Sequence, residues 1–187
     1  MPQNLTVING EGETLSVPAP AAIPETLGYR GPTACAAVGI SYRQLDYWAR
    51  TGLVEPSARS ASGRGSERLY SFRDVVLLRI IKRFLDTGVS LQIMRDAVQR
   101  LRTRRFAELA GLTLMFDGTT IYECSTPDEV HGLLQGGQGI FGVAVGVVVQ
   151  DVTKTLAMLT GERVEHEGSL AAQSDMDELA RRRHRAG

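Results

Sequence analysis

The chain has 187 residues, enough for one domain or two small ones, and an apolar fraction of 43% that can supply a core, which excludes wholesale disorder. Net charge is zero but segregated. Residues 29–105 hold fifteen bases, fourteen of them arginine, against six acids; residues 1–28 hold three acids and no base; residues 106–187 hold twelve acids against six bases. No apolar run spans a bilayer, since residues 140–149 reach only half of the ~20 needed, and no secretory signal opens the chain. A cytoplasmic protein with no membrane partner is expected, and the two cysteines suit a reduced compartment.

Residues 1–28 are rich in Ala, Pro, Glu and Gly without a sustained period. They read as a disordered arm, with a short strand at 15–17 as the alternative. Residues 31–38 read as a helix, with Pro32 in the first turn, where its missing amide costs nothing. Gly39-Ile40 makes a tight connection. Ser41 then opens a second helix through a capping box with Gln44, and Gly52 can close it in the left-handed conformation. Leu45, Trp48 and Ala49 fall on one face; Arg43, Tyr47 and Arg50 fall opposite. Taken alone, this describes any amphipathic surface helix. Preceded by a helix and a glycine turn, it describes a helix-turn-helix, with anchorage behind and phosphate and base-edge donors in front. Residues 53–56 read as a strand, 57–67 as a loop and 68–70 as a return strand. Together they make a wing carrying Arg59, Arg64 and Arg68.

The order Gly39-Ile40-Ser41-x-Arg43-x-Leu45-x-Tyr47-Trp48-x-x-x-Gly52-Leu53-Val54-x-Pro56, followed by Arg68-x-Tyr70-Ser71 and then Asp74-Val75, resembles the MerR family of bacterial transcription regulators. The match covers about residues 29–105. It implies a winged helix-turn-helix that binds as a homodimer to a pseudo-palindromic promoter element and distorts the duplex there, close to RNA polymerase. Carried over by position, Arg43 reaches bases or phosphates, Tyr47 grips the backbone and Arg68 meets a neighbouring phosphate. The candidate DNA-binding set is Ser41, Tyr42, Arg43, Gln44, Tyr47, Arg50, Arg59, Arg64, Arg68 and Tyr70. The family's Gly-Tyr before the wing arginine is Ser66-Glu67 here, and its second tyrosine is Trp48.

Further along, Ser71 with Asp74 caps a helix over 72–86, which Thr87-Gly88 stops. Ser90 caps the next, with Leu91, Met94, Val98 and Leu101 on one face and Arg95, Arg100, Arg102, Arg104 and Arg105 on the other. Residues 112–116 and 119–124 flank Asp117-Gly118, a strong hairpin signal. Ser125 with Asp128 opens a helix to about residue 135. Residues 140–145 read as a strand and 148–160 as a helix, with 143–149 open between the two. The fold class is therefore mainly α with small β elements (α+β). It comprises an arm over 1–28, a winged helix-turn-helix over 29–105, a small C-terminal α/β dimerisation unit over 106–160 and a flexible charged tail over 161–187. The unit at 106–160 is marginal alone, and a second copy is expected to bury its apolar surface.

No catalytic constellation is present. His131, His166 and His184 have no nucleophile or carboxylate at suggestive spacing, and two lone cysteines make no zinc motif. Residues 137–142 match Gly-x-Gly-x-x-Gly, but with a helix before and a strand after, the reverse of a dinucleotide site. No enzyme activity, cofactor or metal is expected. The leading reading is a DNA-binding transcription regulator on the nucleoid, with double-stranded promoter or operator DNA, a second copy of itself and RNA polymerase as partners. The alternatives are an excisionase-like architectural DNA-bending protein and a ligand sensor acting through the C-terminal unit.

Overall fold

The computed structural model describes residues 6–8, 14–16, 28–59, 68–136 and 140–159. In chain order the elements are β1 (Thr6–Ile8), β2 (Thr14–Ser16), β3 (Gly28–Arg30), α1 (Gly31–Val38), α2 (Tyr42–Arg50), β4 (Leu69–Ser71), α3 (Phe72–Asp86), α4 (Leu91–Thr103), α5 (Phe106–Ala110), β5 (Thr113–Phe116), β6 (Ile121–Cys124), α6 (Pro127–Leu134), β7 (Phe141–Ala144) and α7 (Val145–Met158). The protein is mainly α with small antiparallel sheets, as expected. The tail over 161–187 lies outside the described residues.

Caps set the helix boundaries. The Ser71 hydroxyl accepts from the Asp74 amide at 3.1 Å while the Asp74 carboxylate accepts from the Ser71 amide at 2.8 Å, so α3 begins where the sequence places it. Asp74 also accepts from the Ser57 amide and hydroxyl, at 2.7 and 2.8 Å, which is how a carboxylate tolerates 4% exposure. Ser90 caps α4. At α6 the cap is one residue later than expected: Thr126 accepts from the Glu129 amide, and Glu129 answers through the amides of Ser125 and Thr126. Pro127 decides this, because its ring suits the first helical position and holds Thr126 extended.

The wing differs from expectation. Residues 53–56 form no strand, because the amides of Leu53 and Val54 are spent on the Trp48 carbonyl, at 2.9 and 3.4 Å, and both side chains are buried. The ladder lies elsewhere. β4 pairs antiparallel with β3, Gly28 opposite Ser71 and Arg30 opposite Leu69, and on its other side Leu69 exchanges both backbone hydrogen bonds with Arg59. Gly28, read as the last residue of the arm, therefore pairs in the wing sheet along with residues 29 and 30. Within the arm, β1 and β2 form an antiparallel pair, and β2 lies one residue before the strand suggested at 15–17.

The C-terminal segment holds a sheet in the order β6-β5-β7. The ambiguous 143–149 stretch divides at Ala144, with strand before and helix after. α5 was not anticipated; five residues leave little periodicity to read. The apolar side of α7, made of Val145, Val148, Val149 and Val152, does not wait for a second copy. It packs against α1 and α3, in one cluster continuous with Ala34, Val38 and Ile80. Burying such a side chain contributes roughly 1.5–3 kcal/mol, whereas an exposed ion pair such as Arg83–Asp151 between α3 and α7 contributes about 0–1 kcal/mol. The valines hold the segment in place. The Phe84 and Phe141 rings meet edge to face at 5.4 Å, and Glu123 of β6 accepts from Arg100 of α4 and from Arg104 just past its end, each at 2.8 Å.

Candidate nucleic-acid interface

The interface is built from the turn between α1 and α2. Gly39 sits at φ 77°, left-handed, where a side chain is strained, and the amides of Gly39 and Ile40 both donate to the Cys35 carbonyl, at 2.8 and 3.1 Å. The Arg79 guanidinium donates to the Val38 carbonyl at 2.8 Å and completes the end of α1. Ser41 follows in extended conformation and closes the expected capping box. Its hydroxyl accepts from the Gln44 amide at 3.2 Å, and the Gln44 side-chain oxygen accepts from the Ser41 amide at 2.9 Å. At the far end Gly52 takes φ 71°.

The two faces of α2 separate as the spacing predicts. Leu45 is 1% and Trp48 2% exposed, whereas Tyr42 is 62% and Tyr47 47% exposed, and Arg43, Gln44 and Arg50 are exposed as well. Among the described residues nothing pairs with Arg43. The Arg95 guanidinium, from α4, donates to the Thr51 carbonyl at 2.6 Å and braces the C-terminal end of the helix. The result is a cationic, phenol-bearing ridge on a rigid base.

The wing residues divide. Arg68 stands just before β4, and its Nη1 donates to Asp46 Oδ1 of α2 at 2.7 Å. Asp46 Oδ2 meets Arg50 Nε at 2.9 Å. The hydrogen bond from Arg68 holds the Asp46 carboxyl below its ordinary range, so the group is ionised at neutral pH. Arg59 is held in the wing by its backbone bridge to Leu69, and Arg64 lies outside the described residues. Tyr70 departs from the expected set. It is 1% exposed and belongs to the core cluster with Phe72; Leu69, on the opposite face of β4, is buried as well, so neither face of this strand is left to solvent. Its phenol does not face a duplex.

Burial pushes the Tyr70 phenol up from 10 to about 12. Its folded value is raised, so its contribution to stability is whole below pH 10 and is lost as pH rises towards about 12. An absorbance titration of the phenolates is therefore expected to lose a late ionising step, towards about 12, in Tyr70→Phe. Loss of an ordinary step near 10 instead would place the ring in solvent.

Sequence reasoning missed Asp46 and Arg95. The Asp46–Arg50 spacing of four was readable; the partners 22 and 44 residues away were not. Cys35 in α1 and Cys124 in β6 are free thiols, both pushed up by burial. Among the described residues no three His, Cys, Asp or Glu side chains gather closely enough to hold a metal ion, and no helix is long and apolar enough to cross a membrane.

Helix, glycine turn and capped helix with an outward cationic ridge, flanked by a small sheet, define a helix-turn-helix protein of the DNA-reading class. The family model for MerR HTH family regulatory proteins matches residues 29–101. The chain is 57% identical over 162 residues to proteins of Mycobacterium tuberculosis and Mycobacterium bovis named as uncharacterized HTH-type transcriptional regulators, covering 86% of this chain and 71% of each. It is also 32% identical over 78 residues to a heavy metal-dependent transcription regulator of Rhizobium meliloti, covering 41% of this chain and 51% of that one. The chain belongs to the MerR family of helix-turn-helix transcription regulators.

Proposed function

We propose that the protein regulates transcription by binding a pseudo-palindromic promoter element as a homodimer, with two copies of α2 in successive major grooves about 34 Å apart on one face of the duplex. The carrying observation is the division of α2: Leu45 and Trp48 buried, Tyr42, Arg43, Tyr47 and Arg50 outward. In this reading Arg43 addresses base edges, Tyr42 and Tyr47 lie along the sugar-phosphate backbone, and Arg50 and Arg68 meet phosphates. Ser41 and Gln44 spend their side-chain oxygens on the cap and set the angle at which the helix enters.

The homodimer follows from magnitudes. α2 has nine residues, about 13 Å at 1.5 Å each, and presents few base-reading side chains. A good bidentate base contact discriminates by about 1–3 kcal/mol, whereas a specific site is favoured over random DNA by about 4–10 kcal/mol. One helix falls short and two copies reach the range. Distortion of the duplex between the half-sites, and contact with RNA polymerase there, complete the proposal.

The test is genome-wide footprinting, followed by titration of the recovered site with the mass of the bound species measured. Paired half-sites bound by two chains are expected; a single half-site held by one chain would overturn the dimer. In the same titrations Arg68→Ala is expected to weaken binding across sequences and lower the slope of log K against log salt by about 0.9. An unaltered slope would remove the wing arginine from the contacts.

A further inference from the structure

One carboxylate stands in the middle of the proposed DNA-facing surface, where a negative charge opposes docking on phosphates. Asp46 lies on α2 between Arg43 and Arg50. Both of its oxygens are used: Oδ1 by Arg68 Nη1 at 2.7 Å and Oδ2 by Arg50 Nε at 2.9 Å. The Asp46 and Arg68 side chains are each 30% exposed, whereas Arg50 is 66% exposed. Arg50 therefore needs no help to reach solvent or phosphate. Arg68 does need a direction, since it comes from a different part of the chain and reaches across to α2.

Its backbone is prepared for this. The next residue, Leu69, is paired on both sides, with Arg30 and with Arg59, so Arg68 starts from a fixed point at the end of a ladder. Its long side chain would still sample many rotamers, and ordering it on docking costs entropy. A carboxylate that takes one guanidinium nitrogen leaves the others available and keeps the local sum positive, two arginines against one aspartate.

We propose that Asp46 is a positioning residue for DNA docking: its carboxylate, shared between Arg50 and Arg68, holds the wing arginine against α2 so that helix and wing meet the phosphate backbone as one surface. This rests on the proposed DNA-binding function and adds to it a residue that touches no DNA. The Asp46–Arg50 pair is largely exposed on the arginine side and contributes little to folding; the partly buried Asp46–Arg68 pair is the one that ties wing to helix.

The experiment uses the full chain and a mixed-sequence duplex of about 30 base pairs, long enough for two half-sites. Binding is titrated across salt for wild type, Asp46→Asn, Arg68→Ala and the double variant, and each is melted. Asp46→Asn keeps the shape and removes a charge that repels DNA. If Asp46 only repels, the substitution tightens binding, equally with and without Arg68, and the proposal is overturned. If Asp46 positions Arg68, the substitution weakens binding by up to about tenfold at 0.1 M salt and shallows the salt slope by up to about 0.9, the share of one phosphate contact. It then does nothing further in Arg68→Ala, and the melting temperature holds. A weakened affinity that tracks a lowered melting temperature, with no coupling between the two positions, also overturns it. Failure of the underlying function is distinct: the wild-type chain would bind no duplex at all.

Discussion

Trp48→Ala is expected to lower the free energy of unfolding by about 3–5 kcal/mol, the largest single effect in the helix-turn-helix. Trp48 is the chain's one tryptophan and is 2% exposed in the core beneath α2. Truncation removes its apolar area from the core and leaves a cavity that neighbours fill only in part. The backbone depends on the same place, since the Trp48 carbonyl receives the amides of Leu53 and Val54 as α2 ends. A shifted ring would loosen that turn, and with it the end of the helix that Arg95 braces through Thr51. Denaturant unfolding followed by circular dichroism measures the effect, as a midpoint shift at unchanged slope. Trp48→Phe keeps more of the volume and is expected to cost less. A loss below about 0.5 kcal/mol for alanine, the range of surface substitutions, would mean that the face beneath α2 is not tightly packed.

Arg43→Ala is the counterpart on the other face. The side chain is exposed and pairs with nothing among the described residues, so the fold should lose no more than about 0.5 kcal/mol. Its expected effect is on discrimination: about 1–3 kcal/mol less preference for the footprinted site over a mixed-sequence duplex, roughly fivefold to 150-fold. The preference is read as the ratio of two affinities measured at one salt concentration, which separates base reading from phosphate attraction. An unchanged ratio would assign Arg43 to the backbone and leave base reading to other residues of α2. The two substitutions sit five residues apart on one short helix. They should divide cleanly, one acting on stability and the other on specificity, because a helix that reads DNA must hold one face still to offer the other.

Much of this was legible beforehand wherever the signal is local. The spans of α1 and α3, and the N-termini of α2 and α4, follow from Ser41, Ser71 and Ser90, from Pro32, and from Gly39 and Gly88, each acting within four residues of its partner. The two faces of α2 follow from a 100° rotation per residue. The error at α6 was one residue, where Ser125 and Thr126 competed for the cap and the rigid ring of Pro127 decided. Tyr70 was misplaced for a different reason. The motif supplies a tyrosine after the wing arginine, but whether either side of a three-residue strand is covered depends on the elements above and below it.

By itself the sequence determined the mainly helical class, the starts of the capped helices α2, α3 and α4 and the outward ridge of α2, because caps and helical periodicity are written within a few consecutive residues. The tertiary structure decided what those elements meet: the pairing of β3 with β4 across some forty residues, the Asp46–Arg68 contact between helix and wing, and the seating of the α7 valines on α1 and α3. A lone capping box stabilises its own turn in any context. A valine face or a carboxylate between two arginines has no partner until the chain closes on itself, and several distant surfaces of similar chemistry compete for it. Shape and burial across the whole molecule settle that competition, and no short stretch of sequence contains them.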